Sequence, residues 1–160
     1  MSKKKETVLL LAITCFWFAV YIHIPYQTPY LTAAGISASA IGTIVGAYGV
    51  VQMVLRLPVG VMADRAGHHK PIVMLGCALS AAACAARFLL PDGTGFLIGN
   101  IISGCASSTW ISFMVLFSTY YPRREQQTAT SRTIMACNLG MCIAFLFGTC
   151  FYSTTSMRFL

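Results

Sequence analysis

Charge-free, largely apolar stretches cover residues 7–55, 71–86, 93–122 and 133–157, and short polar clusters separate them. Apolar side chains follow one another inside these stretches without the period-two alternation that a transmembrane β-barrel requires. A helix crosses the hydrocarbon core with about 20 such residues, so the first stretch holds two crossings and each of the others holds one. The pattern therefore predicts five membrane spans, at about 8–31, 39–62, 71–90, 95–117 and 132–152, in an all-α integral membrane fold. Gly35-Ile36-Ser37 and the Pro-Asp-Gly-Thr-Gly run at 91–95 read as tight turns on one side of the membrane. The polar segment 118–131 reads as a longer connection on the other side, with a short interfacial helix and with Pro122 closing the fourth span. Pro25 and Pro29 each remove a backbone donor and collide with the carbonyl four residues back, which predicts a bend in the first span.

Composition agrees: 57% of residues are hydrophobic and 9% charged, against about 25% charged in a soluble domain. A net charge of +7 raises the question of a nucleic-acid partner, and the placement of the charges answers it. With alternating spans, Lys3, Lys4, Lys5, Arg65, Lys70, Arg123, Arg124 and Arg132 fall on one side, while only Arg87 and Arg158 lean to the other. The excess marks the cytoplasmic side of the membrane, so the amino terminus and the loops at 63–70 and 118–131 are expected there. The charge sets topology and draws anionic headgroups, with no nucleic acid implied. Met-Ser-Lys-Lys-Lys before an apolar run imitates a secretory signal, but no small-x-small cleavage site follows, and Trp17, Tyr21 and Pro25 interrupt. The first span is expected to be retained. Seven cysteines (15, 77, 84, 105, 137, 142 and 150) lie within spans without a Cys-x-x-Cys pair, and they read as small packing residues rather than as disulfides or metal ligands.

Small residues recur at the spacing that lets helices approach closely in lipid. Gly42, Gly46 and Gly49 do so in the second span, and Ala136, Gly140, Ala144 and Gly148 in the fifth. Polar side chains within spans are the candidates for function. Tyr48, Gln52 and Arg56 share an arc of about 80° on the second span, which suits either a water-filled cavity or a snorkelling arginine beside an interhelical hydrogen bond. The first span carries Tyr21, His23 and Gln27 as well as Tyr26 and Tyr30. His23 suits a proton relay, or simply a hydrogen bond among aromatics. Asn100, Ser103, Ser107 and Trp110 share one face of the fourth span, and Asn138 is the strongly polar residue of the fifth. Tyr21, His23, Gln27, Tyr48, Gln52, Arg56, Asn100, Ser107 and Asn138 are the expected cavity lining, and Arg56 would favour an anionic solute. Glu6, Asp64, Asp92 and Glu125 all sit at span ends or in loops, so no carboxylate is expected mid-membrane. No Gly-x-x-x-x-Gly-Lys is present to bind ATP, no Ser-His-Asp order suggests catalysis, and His68-His69 alone makes a poor metal site. No catalytic residue, cofactor or metal is expected, and the chain does not read as an enzyme.

Between the second and third spans the chain carries Gly60, Ala63, Asp64, Arg65, Gly67 and Lys70, preceded by Leu55-Arg56-Leu57-Pro58. This resembles the signature loop of the major facilitator superfamily, with His68 and His69 where basic residues are usual and Met62 where leucine is common. The resemblance implies a partial fold of that superfamily, the first five of twelve transmembrane helices. It also implies secondary active transport of a small solute by alternating access. Implied partners are that solute, with or without a coupled proton or other ion, the lipid bilayer, and the missing C-terminal half of the same transporter. The implied location is the bacterial cytoplasmic (plasma) membrane. In this reading residues 1–160 are part of the N-terminal six-helix half and are inactive alone. Asp64 with Arg65 belongs to a latch between the halves, Gly60 permits close helix approach, and Gly67 turns the chain toward Lys70. Two departures stand out. The family's fourth helix commonly has Arg-x-x-x-Gly, where this chain has Asn100 before Gly104, and no Gly-Pro pair occurs between Gly140 and Gly148, which weakens a drug:proton antiport reading. The rival reading is a self-contained small membrane protein that acts as an assembly or interaction partner.

Overall fold

Apolar runs without a lipid-compatible alternative become helices, because a backbone group left unpaired in hydrocarbon costs several kcal/mol. The computed structural model describes residues 3–152, with side chains from 4 to 150; Arg158 and the Lys3 side chain lie outside these. Its elements are α1 (Lys3–Tyr21), α2 (Ile24–Ala33), α3 (Ala38–Ala66), α4 (His69–Leu89), α5 (Gly93–Ser108), α6 (Trp110–Ser118), a 3-10 turn (Arg123–Glu125) and α7 (Gln126–Tyr152). They form five units long and apolar enough to cross a membrane: Lys4–Ala33, Ala38–Ala66, His69–Leu89, Gly93–Ser118 and Arg123–Cys150. The polypeptide is a multi-pass membrane protein.

The predicted bend in the first span lies at Ile22 and His23, where α1 ends before Pro25. Pro25 has no N–H for the Tyr21 carbonyl, and α2 restarts with the amides of Tyr26 and Gln27 both donating to the His23 carbonyl at 3.1 and 3.0 Å. The fourth span, predicted as one helix, is interrupted at Thr109. There the hydroxyls of Ser108 and Thr109 donate to the carbonyls of Cys105 (2.6 Å) and Ala106 (2.7 Å) and compete with the helical ladder. Thr109 fits against Gly76 of α4, where a Cβ would stand 2.2 Å from its Oγ1. The 118–131 connection differs from expectation too. Helix α7 already starts at Gln126, because nothing after Pro122 breaks it, and the Gln126 amide ties it back to the carbonyls of Ser118 (3.2 Å) and Tyr121 (3.1 Å).

Capping explains the tight turns. Ser37 accepts from the Ala40 amide at the start of α3, and Asp92 accepts from the Gly95 amide at 2.8 Å at the start of α5. Gly67 ends α3 in the left-handed region, φ +63°, with its amide on the carbonyls of Ala63 and Asp64, a conformation that glycine adopts without strain.

Helix α1 packs along α7, and α5 packs between α3 and α4. Ile13, Phe16, Trp17, Val20, Phe113 and Phe117 fill the main core, and Leu31, Ile41, Ile44 and Phe96 fill a second. The small-residue stripe of α7 makes the predicted contact. Ala136, Gly140, Ala144 and Gly148 are buried, and a Cβ on Gly140 would fall 2.4 Å from the Thr14 carbonyl oxygen. The stripe of α3 does not. Gly42, Gly46 and Gly49 have nothing within 4 Å, because α3 packs through Ile41, Ile44 and Tyr48 on another face. Gly60 likewise faces only ordinary contact, 3.7 Å from Ile111 Cδ1, so close helix approach does not require a glycine there. The packing reading of the cysteines fits buried Cys137 and half-buried Cys77, Cys84 and Cys105, whereas Cys15 and Cys142 are exposed.

Basic side chains gather at one end of the bundle. There Glu6 of α1 accepts from both Arg132 and Tyr121, Arg132 also donates to the Tyr121 oxygen at 2.7 Å, and its guanidinium stands 5.7 Å from the Tyr121 ring centre. Loss of bulk water and the adjoining Glu6 carboxylate raise the Tyr121 phenol above its usual range, so it remains a neutral donor to Glu6. The pair is too exposed to add much stability; its effect is to align α1 with α7.

Candidate functional site

Two polar layers lie next to each other, one near the middle of the spans and the other nearer the Gly35 and Pro91 turns. The first is aromatic and hydroxylic. Tyr48 of α3 shares a 3.0 Å hydrogen bond with Ser107 of α5, and Tyr21 of α1 meets Tyr48. Trp17 stacks edge-on against Trp110, centroids 5.2 Å apart, and lies 5.5 Å from Tyr21. Cys137 of α7 closes this side. Four of the five spanning units therefore contribute to one wall of hydroxyls and rings. Tyr48→Phe is expected to cost about 1 kcal/mol by removing the Ser107 hydrogen bond, read as a lower melting temperature of the purified protein; an unchanged melting curve would mean that the two hydroxyls do not meet.

The second layer is knotted around Asn100 of α5, which is 1% exposed. Its amide nitrogen donates to the Gln27 side-chain oxygen of α2 at 3.0 Å and to the Ile44 carbonyl of α3 at 2.7 Å. Its oxygen accepts from Arg87 Nη2 of α4 at 2.9 Å. The same Nη2 donates to Ser103 at 2.8 Å, the arginine stem lies on Gly99 where a Cβ would be 2.7 Å from Arg87 Cγ, and His23 is buried beside Asn100 and Arg87. Four helices are joined through one asparagine.

Arg87 lies in the last turn of α4, at the end opposite the basic cluster as expected, but its burial was not foreseen: it is 8% exposed and turns inward, because the small residue Gly99 on α5 leaves room for its stem. The pattern that points to it is the stripe Val73, Gly76, Ser80, Ala83 and Arg87, which recurs every three or four residues and is the buried face of α4. A guanidinium stays protonated in proteins, and no described carboxylate bonds this one. Asp92 caps α5, Glu6 holds Arg132, and Asp64 and Glu125 are exposed.

Of the other expected residues, Tyr21, His23, Gln27, Tyr48, Asn100 and Ser107 come together in these layers. Gln52 and Arg56 lie half-buried further along α3, and Gln52 Oε1 and Arg56 Nε have no hydrogen-bond partner. Asn138 is exposed on α7, and no hydrogen bond joins it to either layer. Ser103, noted on the Asn100 face but not among the candidates, belongs to the knot. At the basic end, Asp64, Arg65, Gly67 and Lys70 are exposed, and no ion pair forms between the described atoms of Asp64 and Arg65.

A profile describing the Major Facilitator Superfamily matches residues 9–160. The inner membrane transport protein YajR of Escherichia coli (strain K12) is similar as well, 28% identical over 126 residues that make up 78% of this chain and 27% of that protein. The chain thus spans about a quarter of the length of the curated relative that it matches.

Proposed function

The chain belongs to the major facilitator superfamily, whose members are membrane transporters, and on that premise we propose that it is the amino-terminal part of a secondary active transporter that moves a small solute by alternating access. The observation that carries the proposal is the open face of α3. At 100° per residue, Gly42, Gly46, Gly49, Met53, Leu57 and Asp64 fall within an arc of about 80°. The glycines have no neighbour within 4 Å, and Met53 and Leu57 are 71% and 77% exposed. A glycine-lined helix face lets a second helix approach to backbone contact. The carboxy-terminal half of the same protein is the partner that the family fold provides for it.

Asp64 ends this face at the basic end of the bundle, so it acts as a latch between the halves in one state and releases in the other, with Arg65 beside it. Gly67 holds the loop in the conformation that presents both residues, and Lys70 adds positive charge at the start of α4. The solute passes between the halves, against Tyr21, Tyr48 and Ser107, with His23, Gln27 and Asn100 behind them and Gln52, Arg56 and Asn138 along the path. Lys4, Lys5, Arg65, Lys70, Arg123, Arg124 and Arg132 share one end of the bundle, which orients the amino terminus to the cytoplasm of a plasma membrane. The downhill movement of a coupled proton, other ion or exchanged solute drives the cycle.

Gly46→Leu and Asp64→Asn test this in the complete reading frame. Each is expected to lower transport at least tenfold, about 1.4 kcal/mol in barrier terms, at unchanged membrane abundance. Wild-type rates in both variants would show that the α3 face meets no second half, and a 160-residue product that is stable and performs its own task in the membrane would replace the proposal with that of a small self-contained protein.

A further inference from the structure

We propose that Arg87 is the anion-recognising group of the transport site and that the solute is a small organic carboxylate. This rests on the reading of the chain as part of a transporter. A buried arginine keeps its charge, and removing an ion from water without a counter-charge is among the largest penalties a protein interior carries. Proteins hold such a charge where it is paired or where a ligand will pair it. Arg87 has no paired carboxylate among the described residues. Its acceptors, Asn100 Oδ1 and Ser103 Oγ, are neutral dipoles and both sit on Nη2. Nε and Nη1 are buried without a partner, so three of the five guanidinium donors are unused. A carboxylate supplies both the missing charge and the missing acceptors.

The surroundings hold the guanidinium in place for that task. Asn100 is committed by three hydrogen bonds, and two of them go to Gln27 and Ile44, so its oxygen can only face the arginine. Ser103, which accepts from Arg87, lies one helical turn from Ser107, which belongs to the hydroxyl and aromatic layer. One face of α5 therefore leads from the solute wall to the cation.

The test is the thermal unfolding of the complete protein, purified in detergent, with benzoate, succinate or lactate, each compared with its neutral amide. At least one carboxylate is expected to raise the melting temperature by about 3 °C or more while its amide does not. Arg87→Gln should abolish that shift, Arg87→Lys should retain part of it, and Ser103→Asp, which installs an internal counter-charge, should abolish it while leaving Arg87 in place. The proposal is overturned if wild type distinguishes no carboxylate from its amide, or if the shift survives in Arg87→Gln. Binding is read without transport, which separates the two ideas. Arg87-dependent carboxylate binding by a protein that moves no solute keeps Arg87 as a carboxylate-binding group and defeats the transporter reading. Undiminished transport by Arg87→Gln defeats this assignment and leaves the transporter reading intact.

Discussion

Leucine in place of Gly140 is expected to destabilise the protein by about 3 kcal/mol, the upper end of what overpacking costs, and to do so by separating α1 from α7. A first side-chain carbon there would lie 2.4 Å from the Thr14 carbonyl oxygen and 3.2 Å from the Phe18 amide nitrogen. Both are backbone atoms, so no rotamer change relieves the clash and the helix must move. Thr14 also donates to the Ala136 carbonyl at 3.2 Å, one turn away, and that bond is lost with the contact. Leu146→Ile, on the exposed side of the same helix, is the control and should stay within about 0.5 kcal/mol of wild type. Thermal unfolding in detergent measures both. Equal melting temperatures would mean that α1 and α7 are not in backbone contact.

Asn100→Leu is expected to have an effect of similar size, about 3 kcal/mol. Burying an unsatisfied polar group costs about 1–3 kcal/mol and more when it is charged, and this substitution strands the Gln27 side-chain oxygen, leaves the Arg87 guanidinium with Ser103 as its one acceptor, and removes the second donor from the Ile44 carbonyl. Ser103→Ala removes one acceptor from Arg87 and leaves Asn100 in place, so its cost should be less than half as large. The ranking tests the geometry: if unfolding curves place the two variants level, Asn100 is not the hub of the knot. Its variants also separate folding from recognition, because Arg87→Gln removes the charge and keeps a hydrogen-bonding side chain in the same place.

Much of this site was legible before any coordinates. Tyr48, Ser107, Asn100, Gln27 and His23 stand out because polar groups are costly in a lipid-facing position, and each does find a partner or a buried place. Arg87 does not stand out. Near the end of a span, an arginine normally reaches the headgroups, and nothing local to its sequence shows that a glycine on the next helix opens a path inward. The break at Thr109 was hidden for a related reason. Serine and threonine are tolerated in membrane helices, and the interruption depends on a pocket at Gly76, thirty-three residues away in the chain. The glycines of α3 and α7 show the same limit. Their spacing is alike, yet one stripe is packed and the other open.

The order of the chain, through the length of its apolar runs, its prolines and its lopsided charge, determined that the described residues hold five helices long and apolar enough to cross a membrane, where they turn, and which end is basic. Those properties are local, since each follows from transferring one segment between water and hydrocarbon. Which stripe meets a neighbour, and whether a cation faces headgroups or the interior, was decided only when α4, α5 and α7 came together. The reason is physical: in lipid, every apolar helix face is equally content, so the choice among faces falls to atomic fit between helices that are distant in the chain.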